Sequence, residues 1–193
     1  MKKWMVSVDP GVNALGWALW RWDPPHRKNL ATPDECGIVN APARLRMTPH
    51  QRVDYLADTL CERLDGMRPN MVVVEWAEFR AGDAVGHSAA ARDDLGMLCF
   101  AAGVLCRWGL ESHLAPVSKW KGSLPKRVVH ERVVRAVGVE ARNGERFNSH
   151  AVDAVGIGLW AKGFNLDDGR VFSRSCDWST QPIDRRPKGE RRW

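Results

Sequence analysis

Short apolar runs and longer stretches with helical spacing alternate along the chain. Met5-Val6-Ser7-Val8 ends at Asp9 and is followed by Pro10-Gly11, so residues 4–9 read as a strand closed by a turn. Ala14 to Trp20 reads as a second strand, and the short connection through Asn13 predicts an antiparallel hairpin. Pro24, Pro25 and Pro33 make residues 21–34 a loop, and Glu35 to Ala41 forms a third strand. Thr48-Pro49-His50-Gln51 then carries a helix start. Thr48 is the cap, Pro49 takes the first helical position and Gln51 completes a capping box.

Val53, Leu56, Ala57, Leu60, Cys61 and Leu64 follow at helical spacing and define one buried face, which Gly66 and Pro69 end. Met71 to Val74 is continuously apolar and closes on Glu75, as expected of a strand covered on both faces. After a loop at 76–86, an Ala- and Gly-rich helix is predicted from about Ala84 to Trp108, then a strand from Ser112 to Ala115. Residues 117–124 read as a loop, and Pro125 to Val137 as a helix with Val129, Val133 and Val137 on one face. A last helix starts near Asn148 or Ser149, both good caps, and runs to Ala161.

The order β-β-β-α-β-α-β-α-α predicts an α/β fold: a ribonuclease H-like, mixed five-stranded sheet flanked by helices. Residues 1–163 would form this domain. Beyond Gly163 the periodicity fades, and 164–193 read as an extended basic tail. In this topology the first and fourth strands are neighbours, which brings Asp9 and Glu75 to adjacent strand ends. The carboxyl end of parallel strands is where open α/β sheets place their sites.

A carboxylate at the end of a hydrophobic strand is costly to bury alone. Two such acids, joined by Asp153 on the final helix, point to a divalent cation that balances their charge. Mg²⁺ prefers hard oxygen ligands, and two such ions about 4 Å apart can clamp an in-line displacement at phosphorus. His150 lies three residues before Asp153 and shares its helix face, where it would bind metal or move a proton. Each residue also has a plainer reading: a turn for Asp9, a surface charge for Glu75 or Asp153, a packing role for His150. The topology joins all four, and the joint pattern predicts a catalytic metal site of Asp9, Glu75, His150 and Asp153 that cuts phosphodiester bonds.

Composition adds context. The formal charge of +6 fits a polyanionic partner. From Lys119 to Arg135, the cations Lys119, Lys121, Lys126, Arg127, Arg132 and Arg135 face the single acid Glu131. Such a stripe suits phosphate contacts, with Trp120 between two lysines. The five cysteines include no Cys-x-x-Cys pair, which predicts reduced, mostly buried thiols and no zinc. Asp9 and Pro10 interrupt any signal-peptide core, and the apolar run from Leu95 to Cys106 is too short to span a bilayer. The expectation is a cytoplasmic protein with no membrane partner.

These motifs resemble the RuvC family of Holliday-junction resolvases. Val6-Ser7-Val8-Asp9-Pro10-Gly11 with Gly16 resembles the family's opening hairpin, and Val72-Val73-Val74-Glu75 its second acidic strand. Ala115-Pro116-Val117-Ser118-Lys119, with Lys126, resembles the basic segment that follows the last strand. His150-Ala151-Val152-Asp153-Ala154-Val155-Gly156-Ile157-Gly158 resembles the final acidic helix, although the family often has Asp at the position of His150. The likeness covers about residues 4–162, and its divergence fits a phage-encoded member.

The resemblance implies a Mg²⁺-dependent endodeoxyribonuclease, with two ions per site and Mn²⁺ able to substitute. A homodimer would grip a four-way junction and nick two strands symmetrically, with the helix at 84–108 as dimer face. It implies a base-contacting aromatic in the loop after the second acid, with Phe79 as the candidate and Trp76 as the runner-up, while the basic stripe itself offers Lys119, Lys121, Lys126 and Arg127 as DNA contacts. A RuvC-like nuclease of broader branched-DNA specificity is the nearest alternative. Actin- and Hsp70-like ATPases share an opening Asp-x-Gly hairpin but pair two such domains, and this chain has one. A catalytically silent DNA-binding module is disfavoured by the retained acids.

Overall fold

Strand alternation sets the two faces of the sheet. Val6 and Val8 point to one side of the first strand, Met5, Ser7 and Asp9 to the other. The computed structural model describes residues 3–21, 32–64, 67, 69–77, 89–107, 111–137, 148–164 and 166, with backbone alone at 89–95. Its elements are β1 (Trp4–Asp9), β2 (Ala14–Arg21), β3 (Glu35–Asn40), α1 (Pro49–Leu64), β4 (Met71–Trp76), α2 (Ala89–Leu105), β5 (Glu111–Pro116), α3 (Val117–Trp120), α4 (Lys126–Val137) and α5 (Ser149–Ala161).

The five strands form one mixed sheet in the order β3-β2-β1-β4-β5. β2 is antiparallel to β1 and β3, while β1, β4 and β5 run parallel. The register that pairs Val8 with Val74 carries Asp9 and Glu75 to adjacent strand ends. This is the predicted ribonuclease H-like order, with β4 interior between β1 and β5.

One face packs on α1 and α2 through Val6, Val8, Leu15, Trp17, Leu19, Val72 and Val74. The other packs on α5 and α4 through Met5, Ala18, Trp20, Met71, Val73 and Ala115. The capping box at α1 forms as expected: Thr48 N donates to Gln51 Oε1 at 2.9 Å, and Gln51 N to Thr48 Oγ1 at 3.3 Å. Cys61 departs from its predicted buried face and is exposed, because the α1 stripe narrows to Leu60 and Leu64 there. No disulfide joins Cys36, Cys61, Cys99 and Cys106.

Residues 117–120 are helical where a loop was expected. This single turn carries Trp120 into the core beneath α5. α2 occupies the middle of its predicted span, and 84–88 lie outside the described residues. α5 ends at Gly163 with φ 87°, where Gly163 N bonds Trp160 O and Phe164 N bonds Leu159 O. Leu166 is buried in the α5-face core, and its carbonyl accepts from Arg132. The rest of the predicted tail lies outside the described residues. Among the described residues, no helix is long and apolar enough to cross a membrane.

Candidate active site

Asp9, Glu75, His150 and Asp153 gather at the carboxyl ends of β1 and β4, under the first turns of α5. Asp9 and Glu75 share the α5 face because each follows its strand's alternation with Met5-Ser7 and Met71-Val73. α5 is fixed above them in two ways. Asn148 caps the helix, its side chain accepting from His150 N at 3.1 Å. Gly16 on β2 has no side chain, and any Cβ there would overlap the His150 backbone carbonyl. Helix and strand therefore meet backbone to backbone at the site.

One layer deeper a polar latch repeats the attachment. The buried Ser7 hydroxyl donates to Ala154 O at 2.7 Å and accepts from Trp20 Nε1 at 2.9 Å. Trp20 lies across Gly158, whose missing Cβ leaves room for the indole. Ser7 precedes Asp9 by two residues on the same strand face, and Ala154 adjoins Asp153. The latch therefore holds the strand acid and the helix acid in fixed relation.

Each acid has its own partners. His150 Nδ1 lies 2.7 Å from Asp9 Oδ2. Burial pushes the Asp9 carboxyl up, against the hydrogen bond from His150, and that bond to Asp9 pushes the imidazole up as well. Glu75 accepts from Trp120 Nε1 at 2.9 Å and pairs with Lys121 Nζ at 3.5 Å. Burial, then the Asp9 charge, raises its carboxyl to about 7 despite the nearby ammonium. Asp153, only 5% exposed, lies 3.2 Å from Lys126 Nζ and 3.3 Å from His130 Nε2.

The predicted DNA contacts divide. Lys121 and Lys126 reach the acids, pairing with Glu75 and Asp153 instead of standing apart on a separate stripe. Lys119 is exposed on α3. Arg127 is exposed and paired with Glu131 at 3.4 Å. Arg132 is turned inward to the Leu166 carbonyl. Trp76 packs toward the α1/α2 core, on the opposite face from Glu75. Phe79 lies outside the described residues. Trp120 is buried against Gly156 and unavailable for base stacking.

Sequence reasoning missed Trp120 and His130 as partners of the acids. His130 was legible: it follows Lys126 by one helical turn on α4, so the two share a face. Trp120 carried no such signal, because a four-residue helix has no periodicity.

A divalent ion suits this donor set by its chemistry. The carboxylates are hard oxygens, largely withdrawn from water; the Asp153 charge helps to raise Asp9, and the charges of Asp9 and Asp153 help to raise Glu75. Among the described residues, no three His, Cys, Asp or Glu side chains already stand in metal-holding geometry. The lysine, histidine and indole partners share the carboxylates out among themselves.

No protein-family model and no curated protein matches the chain. Among solved structures, the fold is similar to Thermus thermophilus RuvC in complex with a Holliday junction substrate. The TM-score is 0.58 at 19% identity, over 82% of this chain and 92% of that one. A second Thermus thermophilus RuvC structure gives a TM-score of 0.54 at 20% identity, over 82% and 92%. The chain thus has a ribonuclease H-like fold of the kind found in RuvC.

Proposed function

We propose that this protein is a divalent-metal-dependent endodeoxyribonuclease that resolves four-way DNA junctions by paired nicking. The observation that carries the reading is the acid cluster at the carboxyl end of a RuvC-like sheet, with Asp9 and Asp153 buried and Glu75 largely so. The similar RuvC structure holds a Holliday junction substrate, which makes branched DNA the leading candidate here.

Asp9, Glu75 and Asp153 would hold Mg²⁺, two ions per site, with His150 as a further ligand or proton carrier. When bound, the metal lowers the pKa of a coordinated water and balances charge at the phosphate. His150 is oriented through Nδ1 by Asp9, which leaves Nε2 for proton exchange or coordination. Trp120 holds Glu75 through one oxygen and leaves the other for a ligand. Lys121 and Lys126, paired here with Glu75 and Asp153, would supply positive charge for the scissile phosphate.

A homodimer through α2 completes the reading. Phe100 is exposed on this helix, and Gly96 and Gly103 beside it have open space where a partner helix could approach closely. Sedimentation of the intact protein tests this, and a monomer at micromolar concentration argues against it.

The deciding assay compares a four-way junction, a fork and a linear duplex, each with Mg²⁺ and with EDTA. Paired nicks in the junction with Mg²⁺ alone are expected. Equal cleavage of fork and junction would shift the reading to a broader branched-DNA nuclease. Absence of metal-dependent cleavage would remove the nuclease assignment.

A further inference from the structure

In the most cationic stretch of the sequence, four of the six cations are already partnered within the protein, while Lys119 and Arg135 are exposed. Lys121 and Lys126 are paired to Glu75 and Asp153, Arg127 to Glu131, and Arg132 to a backbone carbonyl. A different segment keeps its charge available. Residues 41–52, from the end of β3 into α1, contain Arg44, Arg46 and Arg52 and no acid. Arg44 and Arg46 are exposed, and Leu45 between them is 45% exposed. Arg52 is half buried, and its Nε is withdrawn from solvent without a hydrogen-bond partner. Among the described residues none of the three arginines has an ion pair.

Topology fixes where this charge lies. β3 ends at Asn40, opposite Ala14, and Ala41 N donates to Asn13 O at 2.9 Å in the turn that follows Asp9. The segment therefore leaves the sheet at the same end as the acids. It leaves on the β3 edge, whereas α3 and α4 follow β5 on the other edge. β1, with Asp9, is the middle strand. Both edges of the sheet thus carry cations at the end where the acids lie, four strand spacings apart, roughly 19 Å, with the arginine segment turning onto the α1 face. Guanidinium groups suit bidentate contact with phosphate oxygens.

We infer that Arg44, Arg46 and Arg52 form a second phosphate-binding flank, which holds a DNA arm other than the one carrying the bond to be cut. The inference rests on the branched-DNA reading above. A branched substrate sends backbones away on both sides of its crossover, and each flank receives one. A linear duplex offers one continuous backbone path and leaves this flank little used.

The test is fluorescence anisotropy of the full chain in EDTA with a labelled four-way junction and a linear duplex, across a salt series. The variants are R44A/R46A/R52A, the double R44A/R46A in case the half-buried Arg52 supports the fold, and the matching triple lysine variant. The triple alanine variant should bind the junction about tenfold or more weakly, and its salt slope should fall by roughly 2 to 3, at about 0.9 per lost duplex phosphate contact. Linear duplex affinity should change by less than about threefold. The double variant should show most of the same loss with an unchanged melting temperature, and the lysine variant should restore the slope. Unchanged junction binding, or equal fractional loss on both DNAs, overturns the inference. If the wild-type protein shows no preference for the junction, the functional reading falls as well, so the two failures are distinguishable.

Discussion

The two faces of the sheet share five strands and differ in how they are filled. The α1/α2 face is closed by aliphatic and aromatic side chains, among them Leu56, Leu60, Leu64, Ala102 and Leu105. The α5 face carries a comparable apolar core but also buries Ser7, Asp9 and Asp153. Gly16, Gly156 and Gly158 bring backbone and rings into direct contact on that face, whereas Gly96 and Gly103 on α2 touch nothing. None of Asp9, Glu75, His150 and Asp153 lies on the first face. The other has its geometry set by groups that cannot move independently.

Replacing the acids tests that contrast most severely. Asp9→Asn, Glu75→Gln and Asp153→Asn should each lower single-turnover cleavage by about 10²–10³-fold while leaving junction affinity in EDTA intact. A variant that cuts at the wild-type rate would remove its residue from the site. Core substitutions sharpen the comparison. Leu60→Ala, on the α1/α2 face, should cost about 2–5 kcal/mol in denaturant unfolding yet keep its cleavage rate when folded and saturating. Gly16→Ala should cost at least as much, about 3 kcal/mol or more, and should also abolish cleavage because the new methyl displaces the His150 backbone. If both variants lose stability and activity in the same proportion, the two faces are not functionally distinct.

Titration supplies a smaller effect confined to one face. Glu75 has its carboxyl raised from 4.5 to about 7, and Asp9 and His150 are raised too. Between pH 4.5 and about 7 the folded protein then binds more protons than the unfolded chain, so stability falls as pH rises. His150 adds the same sign above 6.5, since its contribution is lost through its own raised value. Melting in EDTA should therefore be highest in mild acid, and Glu75→Gln should flatten the lower part of the profile. A profile that rises through this window would contradict the burial assigned to Glu75. The smallest effect belongs to the opposite face. Gly103→Ala should stabilise by up to about 1 kcal/mol, because α2 gains helix propensity and the added methyl meets open space. Destabilisation of a verified dimer by this change would instead place Gly103 at a close helix contact.

Much of this arrangement was legible in the sequence because it depends on local pattern. Strand alternation placed Asp9 and Glu75, the Thr48–Gln51 capping box marked α1, and Asn148 opened α5. What was not legible depends on contacts between distant segments. A tryptophan between two lysines reads as exposed, yet Trp120 is buried because Gly156 on α5 leaves room for its ring. Counting cations could not reveal that Lys121, Lys126 and Arg132 are committed internally while Arg44 and Arg46 are not. Nor could fading periodicity show that Leu166 returns to the core beyond α5.

The Ser7–Trp20–Gly158 arrangement also constrains the order in which this sequence can change. A side chain at 158 is blocked while the Trp20 indole occupies that space. Shrinking Trp20 first opens a cavity beneath α5 and removes the donor to Ser7. Replacing Ser7 first strands a buried indole N–H without its acceptor. Each single step is therefore uphill, although a combined replacement by smaller, apolar and bulkier residues at 20, 7 and 158 need not be. Homologous chains should fall into two groups, one keeping all three residues and one keeping none, with intermediates scarce. Within such a family these positions would covary strongly although none of them belongs to the acid cluster.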